Sequence, residues 1–183
     1  MTPTLCELTG GKFANGAVTG AFAYTFGSVA RDIQNGASLG DAIGKLWSLP
    51  TSVIGLAYGG VGYGLGWIGY GLGLQALPPE IALGNNAIQF INNPLTATAT
   101  TFGNVIVYNP DPVYHPSSTF TNSGMPLGFE EMQHTLQGQA LGPLYLPAHG
   151  LLGAGALLFN GNWHGPFNVL ETGPHSTPPR PWP

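Results

Sequence analysis

A glutamate and a histidine four residues apart, Glu130 and His134, have the types and spacing best suited to metal chemistry in this chain. On a helix, positions i and i+4 lie on the same face, so both side chains could reach one cation. Glu131 follows Glu130 directly and would stand beside that cation as a carboxylate able to accept a proton. The spacing therefore predicts a divalent metal bound on a helix, with an acid–base residue next to it.

The sequence of residues 130–134, EEMQH, differs by one residue from the helix motif HExxH, in which two histidines bind zinc. Glu130 occupies the first ligand position instead of a histidine. Carboxylate oxygen is also a zinc ligand, but it makes the site more anionic and shifts its preference toward oxygen-loving ions. Zinc is the predicted ion, and another divalent metal is left open.

The distribution of charge strengthens the metal interpretation. Between Lys45 and Arg180 the chain has no lysine or arginine. The acidic residues of that stretch are Glu80, Asp111, Glu130, Glu131 and Glu171. Buried carboxylates need a compensating charge, and here only a protonated histidine or a bound metal could supply one. The alternative is a solvated acidic pair favoured by the helix dipole, with His134 as a structural histidine.

Composition limits the classes of function. Charged residues make up 7% of the 183 residues, and the formal net charge is −4. Nucleic-acid binding is therefore not expected, because the chain has too few basic residues to contact phosphates. The hydrophobic content of 43% argues against disorder. The first residues have neither the basic nor the apolar region of a secretory signal, so no N-terminal signal peptide is expected.

Hydrophobic patterns predict an α+β domain. Short strands are expected at residues 86–91 and 103–108, and an edge strand at 103–108 could bind an extended peptide. The motif helix is expected to begin at Met125-Pro126 and to end near Gly138 or Gly142. A short helix over residues 38–47 and a second, almost wholly apolar helix over residues 149–159 complete the predicted elements.

The segment 55–74 is glycine-rich and uncharged, and its pattern leaves several structures open. Glycines four apart, such as Gly55 and Gly59, are typical of a helix-packing face. Alternation of glycine with large apolar residues over residues 61–67 suits a strand or hairpin equally well. The length would also span a bilayer. A buried segment of a soluble domain is the favoured interpretation.

Several stretches resemble parts of bacterial toxins. Residues 10–22 resemble the segment just upstream of the toxic tip in Rhs-type (YD-repeat) and related polymorphic toxins. The stretches that resemble a metallopeptidase-like tip domain of such toxins are GNNAIQF (84–90), FGNVIVY (102–108), HTLQGQ (134–139), LGPLYLP (141–147), WHGP (163–166), ETGP (171–174) and PPRPW (178–182). The resemblance implies a pre-toxin linker at residues 1–45 and a zincin-like toxin domain at residues 46–183.

The resemblance also implies a site and a mechanism. Glu130, His134 and Glu171 would be metal ligands, with Glu171 as the downstream third ligand, and Glu131 would be the general base of a metal-dependent peptidase or amide hydrolase. Beside the resemblance, His115, His149, His164 and His175 remain as candidates to stabilise an oxyanion, with His149 and His164 as the accessory residues of the predicted site. Glu130 departs from the family pattern, which has histidine there.

The biological setting implied by the resemblance is interbacterial competition. The chain would be a secreted effector delivered into a target cell, with an Rhs shell or secretion apparatus, a cognate immunity protein, and a protein or peptidoglycan substrate as partners. Two alternatives remain open: a membrane-perturbing, pore-forming toxin acting through residues 55–74, and a catalytically inactive scaffold that works as a binding domain.

Overall fold

The computed structural model describes residues 12–34, 36, 39–119 and 124–183. The helices in these ranges are α1 Lys12–Gln34, α2 Leu39–Trp47, α3 Leu49–Gly71, α4 Leu127–Leu141, α5 Tyr145–Asn160 and α6 Val169–Thr172. The strands are β1 Glu80–Gly84, β2 Ala87–Ile91, β3 Ala99–Phe102 and β4 Val105–Tyr108. Helices and one small sheet together confirm the predicted α+β class.

The four strands form one mixed sheet in the order β1-β2-β4-β3. Strand β2 runs parallel to β4, and the two outer strands pair antiparallel with their neighbours. Side chains of β4 alternate between the two faces: Ile106 and Tyr108 join the cluster around Leu127, while Val105 and Val107 pack with Phe90 on the other face. The core therefore lies on both sides of β4.

The position of β4 corrects one prediction. Residues 103–108 were expected to supply an edge strand, but β4 is an inner strand whose four residues are all buried. The β-branched sequence that predicts this strand is equally typical of a strand buried on both faces. The edge of the sheet on that side is β3, which carries Thr100 and Thr101.

The glycine-rich segment forms a helix that packs against the sheet. Gly55, Gly59, Gly62 and Gly66 are buried along one face of α3. A Cβ at Gly55 would lie 2.6 Å from that of Phe102, so only glycine permits this close approach. The helix interpretation is confirmed and the hairpin interpretation is wrong, because the four-residue glycine spacing serves helix–sheet packing.

Replacing Gly59 with alanine is expected to lower the free energy of unfolding by about 1–3 kcal/mol, because overpacking strains a filled core. The added Cβ would lie 2.3 Å from the ring of Phe90. Gly64 provides the matched control, since a Cβ there meets no atom within 4 Å. Gly64→Ala should be neutral or stabilising by up to about 1 kcal/mol. Urea unfolding of both variants tests the packing, and equal effects would contradict it.

The motif helix α4 lies on the sheet face opposite α3 and is fixed by polar contacts. Asn104, fully buried, accepts a hydrogen bond from Gln139 Nε2 at 2.8 Å and donates to Ser48 Oγ at 2.8 Å. A Cβ at Gly138 would lie 3.2 Å from Gly103 Cα, so helix and strand turn are in close contact. These contacts fix the position of α4 against the turn between β3 and β4.

Helix α4 is followed by a turn at Gly142, whose φ is +56°, and then by α5. The predicted end of α4 is confirmed, because the helix stops at Leu141, whereas α5 contains the predicted residues 149–159 but begins four residues earlier, at Tyr145. Among the described residues, one helical stretch, Leu127–Asn160, is long and apolar enough to cross a membrane by length and composition. Helix α3, which contains most of the glycine-rich segment, is not among the described helices that meet this criterion.

Helices α1 and α2 pack against the remainder of the chain. Helix α1 contacts α3, and α2 contacts α4. The predicted short helix over residues 38–47 corresponds to α2, and Pro50 lies in the first turn of α3 rather than only ending α2. Residues 1–11 of the predicted linker lie outside the described residues, and the domain boundary at residue 45 stays a prediction.

Candidate metal centre

Helix α4 carries three of the predicted site residues into the interior. Glu130, Glu131 and His134 expose 4%, 7% and 5% of their surface. They line a cleft of about 340 Å³. The cleft is bounded by residues 98–101 of the β3 edge and by Leu127, Glu130, Glu131, His134, Tyr145, Leu146, His149, Trp163, His164, Glu171 and His175. The cleft thus gathers residues from one strand edge, three helices and the C-terminal segment.

Glu171, on the short helix α6, lies at the centre of the cleft and exposes only 3% of its surface. Its Oε1 lies 2.7 Å from His149 Nε2. Its Oε2 lies 3.5 Å from His134 Nε2 and 3.9 Å from His164 Nε2. The same oxygen lies 3.5 Å from His175 Nδ1. One carboxylate therefore faces four of the five histidines in the chain.

Three side chains form a first group able to hold a metal ion: His134, His149 and Glu171. Their ligand atoms all lie within 4.8 Å of one another. The group combines α4, α5 and α6, and the turn at Gly142 directs α5 back so that His149 approaches His134 with ring centroids 5.7 Å apart. The prediction that buried His and Glu side chains could hold a metal ion is confirmed as geometry.

The tautomer of His134 follows from its hydrogen bonds. Gln137 donates through Nε2 to the carbonyl oxygens of Leu170 and Pro181, at 2.7 and 2.5 Å. Its Oε1 must therefore accept, and it lies 2.9 Å from His134 Nδ1. Nδ1 of His134 carries a proton, and Nε2 faces Glu171 Oε2 and is the atom that loses its proton when the ring becomes neutral. Such an outer hydrogen bond is the usual support of a metal-binding histidine.

A second group consists of His164, Glu171 and His175, whose ligand atoms also lie within 4.8 Å of one another. His164 comes from the loop after α5, and His175 follows α6. The ring of His164 meets that of His175 edge-on, with centroids 5.0 Å apart. Both groups share the carboxylate of Glu171.

Glu130 belongs to neither group and faces His175 instead. Its Oε1 lies 2.8 Å from His175 Nε2, and its Oε2 is buried without a hydrogen-bond partner. The geometry gives the place beside His134 to His149, so the ligand role expected for Glu130 stays a prediction. Glu130, four residues before His134, therefore pairs with the imidazole of His175 from the C-terminal segment.

Glu131 is a buried carboxyl group of the cleft whose pKa lies near neutrality. Burial raises the pKa of Glu131 to about 7, and the charge of His134 and a hydrogen bond from Thr101 offset only part of that rise. Thr101 Oγ1 donates to Glu131 Oε2 at 2.6 Å. A carboxyl group with a pKa near neutrality can both accept and return a proton, as the predicted general base requires.

The histidines compensate the buried carboxylates. Burial lowers the pKa of His134, but the hydrogen bond and charge of Glu171 outweigh it and raise the pKa to about 9. Burial raises the pKa of Glu171, but hydrogen bonds from His134 and His149 hold it well below its ordinary range. The hydrogen bond that His175 donates to Glu130 raises the pKa of His175. Because no lysine or arginine lines this cleft, histidine supplies its positive charge.

The sequence singled out six residues that line this cleft, but it did not predict their contacts. These residues are Glu130, Glu131, His134, His149, His164 and Glu171. His149 was expected only as an accessory group, and His175 and Thr101 were not predicted to contact the acids. Their signal is the absence of other cations between residues 45 and 180, which leaves histidines to pair with buried acids. No family model, curated protein or solved structure matches this chain.

Proposed function

We propose that the cleft is a metal-dependent hydrolytic site in which His134, His149 and Glu171 hold a zinc ion and Glu131 is the general base. One observation carries this proposal: three convergent ligand side chains stand beside a buried carboxyl group whose pKa is about 7. Two imidazoles and a carboxylate are a ligand set of catalytic zinc sites, which keep one position open.

The donor set fits a metal ion for a second reason. His134 Nδ1 donates to Gln137, so a metal would bind through Nε2 and displace the proton that this atom carries below about pH 9. Zinc binds neutral imidazole and ionised carboxylate, and Glu171 is ionised because the histidines lower its pKa. Bound zinc would lower the pKa of water toward neutrality and polarise a carbonyl group.

The chain's own residues perform the proton transfers in this proposal. Glu131 accepts a proton from the attacking water and returns it to the leaving amine. Thr101 holds one carboxylate oxygen of Glu131, which fixes the direction of the carboxyl group. His164 lines the cleft and is half exposed, so its ring would be available to stabilise the charge on a substrate carbonyl oxygen. Burial of Glu131 raises its basicity to the level that neutral conditions require.

The substrate class is a peptide or related amide. Residues 98–101 include most of the edge strand β3 and line the cleft next to Glu131. An edge strand can add an extended peptide through main-chain hydrogen bonds, which would lay its amide bonds along the cleft. A helix with a variant HExxH motif, an adjoining edge strand and a downstream Glu support a zincin-like arrangement, with His149 in the place of the missing first histidine.

The resemblance to Rhs-type toxins supports the biological part of the proposal. The chain would act as an antibacterial effector inside a target cell, neutralised by an immunity protein and carried by an Rhs shell. Large apolar side chains exposed on α5, such as Leu151 and Leu158, would be covered by one of these partners. Expression in a bacterium with and without a periplasmic signal, in the presence of a chelator, tests toxicity and its metal dependence.

Metal affinity is expected to rise about tenfold per pH unit between pH 6 and 8 and to level off near pH 9. His134 has a pKa of about 9, so below that pH the proton on its ring competes with the metal, and binding releases it. Competition with a fluorescent zinc chelator at pH 6, 7 and 8 measures the slope.

His134→Ala should abolish high-affinity binding, whereas His115→Ala is the matched control because His115 lies outside the cleft and contacts Ser117. A zinc affinity that does not change between pH 6 and 8, or equal loss in both variants, would contradict the assignment of His134 as a ligand.

A further inference from the structure

We propose that the cleft binds a second divalent cation, held by His164, His175 and Glu130 and bridged to the first by the carboxylate of Glu171. The inference rests on the proposed function, because the first cation is the one held by His134, His149 and Glu171. It makes the site dinuclear and gives Glu130 a ligand role in the second subsite rather than beside His134.

Both groups contact the carboxylate of Glu171. Oε1 lies 2.7 Å from His149 Nε2, whereas Oε2 is shared: it lies 3.5 Å from His134 Nε2, 3.5 Å from His175 Nδ1 and 3.9 Å from His164 Nε2. A carboxylate with imidazoles gathered around both oxygens is arranged to bridge two cations. One four-coordinate ion with an open position uses three protein ligands, so the cleft contains more donors than a single zinc ion can use.

His175 has a defined ligand atom. Its Nδ1 lies 2.9 Å from the carbonyl oxygen of Glu171, and a carbonyl can only accept, so Nδ1 is the donor. Nε2 is therefore the atom left for a metal, and it faces Glu130 Oε1 at 2.8 Å. In the metal-free protein Nε2 donates a hydrogen bond to Glu130. A cation would replace that proton and bind both atoms.

Glu130 provides an independent observation. Its Oε2 is buried and has no hydrogen-bond partner, while the residue as a whole exposes 4% of its surface. A buried carboxylate oxygen without a partner costs free energy, and a cation in the cleft would satisfy it. The unpartnered oxygen belongs to a residue that lines the cleft, next to the two histidines of the second group.

Two imidazoles and two carboxylates would define the second subsite. This set is more anionic than the first group and accepts manganese or cobalt as well as zinc. In hydrolases with paired metals, the two ions stabilise the attacking and the leaving atoms on either side of the reacting centre. The second cation would therefore stabilise the charge that develops on the substrate during cleavage.

The experiment measures metal stoichiometry of the full chain. Protein stripped with a chelator is loaded with Mn²⁺ or Zn²⁺, freed of excess metal by gel filtration, and analysed by mass spectrometry of the metal content. Two ions per chain are expected. His175→Ala and His164→Ala should each reduce the metal content to one ion per chain. The His164 side chain is 52% exposed, so its removal should disturb the fold little. His115→Ala should retain two.

Electron paramagnetic resonance of the Mn²⁺-loaded protein gives a second readout that does not depend on activity. The parent protein should give the spectrum of a coupled pair, and the His164→Ala variant that of an isolated ion. One ion per chain that is unaffected by either substitution would overturn the second subsite and leave the first intact. No retained ion would overturn the proposed function as well.

Discussion

Glu131→Gln is expected to reduce hydrolysis, and toxicity with it, by about 10²–10⁴-fold, the usual cost of losing a general base. Glutamine has the shape of glutamate and can still accept the hydrogen bond from Thr101 Oγ1. It cannot take a proton from water. Cleavage of a quenched fluorescent peptide library, together with growth of bacteria that express the variant, measures the effect.

The fold and the metal content should stay unchanged, because Glu131 belongs to neither group of metal ligands. Glu80→Gln is the matched control: the same substitution at an exposed residue at the start of β1, which should leave activity within about twofold. If Glu131→Gln keeps full activity, the hydrolytic mechanism is wrong, and toxicity through a membrane or a binding partner would have to explain any effect.

Glu171→Gln is expected to abolish high-affinity metal binding and to lower the free energy of unfolding of the metal-free protein by about 3–5 kcal/mol, the usual effect of removing one partner of a buried ion pair. Four histidines face this carboxylate. Without it, the buried His134 loses the charge that holds its proton.

The pH of the unfolding experiment follows from the two shifts. The lowered pKa of Glu171 stabilises the fold above the ordinary carboxyl pKa, and this contribution is lost as pH falls through its folded value. The raised pKa of His134 stabilises the fold below about 6.5, the ordinary histidine value, and this contribution is lost as pH rises through about 9. At pH 6 the stabilising contributions of Glu171 and His134 are both present, so unfolding at this pH measures their sum. Glu80→Gln should change stability by no more than about 0.5 kcal/mol, and an equal effect would contradict the central position of Glu171.

The elements that the sequence predicted well are those with a local signal. Helices α4 and α5, strands β2 and β4, and the short helix α2 follow from apolar spacing, β-branched runs and flanking glycine or proline. Strands β1 and β3 were not predicted, because each is short and forms through pairing with a neighbour in the sheet. Helix α3 was ambiguous, since glycine disfavours a helix and only the nearby sheet makes its glycines necessary.

Residue spacing predicted the site only along one helix, and the role of Glu171 on α6 was implied by the resemblance. The spacing of Glu130 and His134 places both residues on α4, and the scarcity of cations indicates that buried acids need partners. The choice of His149 over Glu130 beside His134 depends on the direction of α5 after the turn at Gly142. No residue spacing encodes that direction, because it results from packing between helices.

The measurement that tests the central claim most directly is anomalous diffraction at the zinc absorption edge from crystals of the zinc-loaded protein. A peak is expected within bonding distance of His134 Nε2, His149 Nε2 and the Glu171 carboxylate, which is about 2.0–2.2 Å for zinc with these ligands. The same crystals prepared from His149→Ala should lose that peak. Zinc bound by Glu130 and His134 without His149, or no zinc in the cleft at all, would contradict the account.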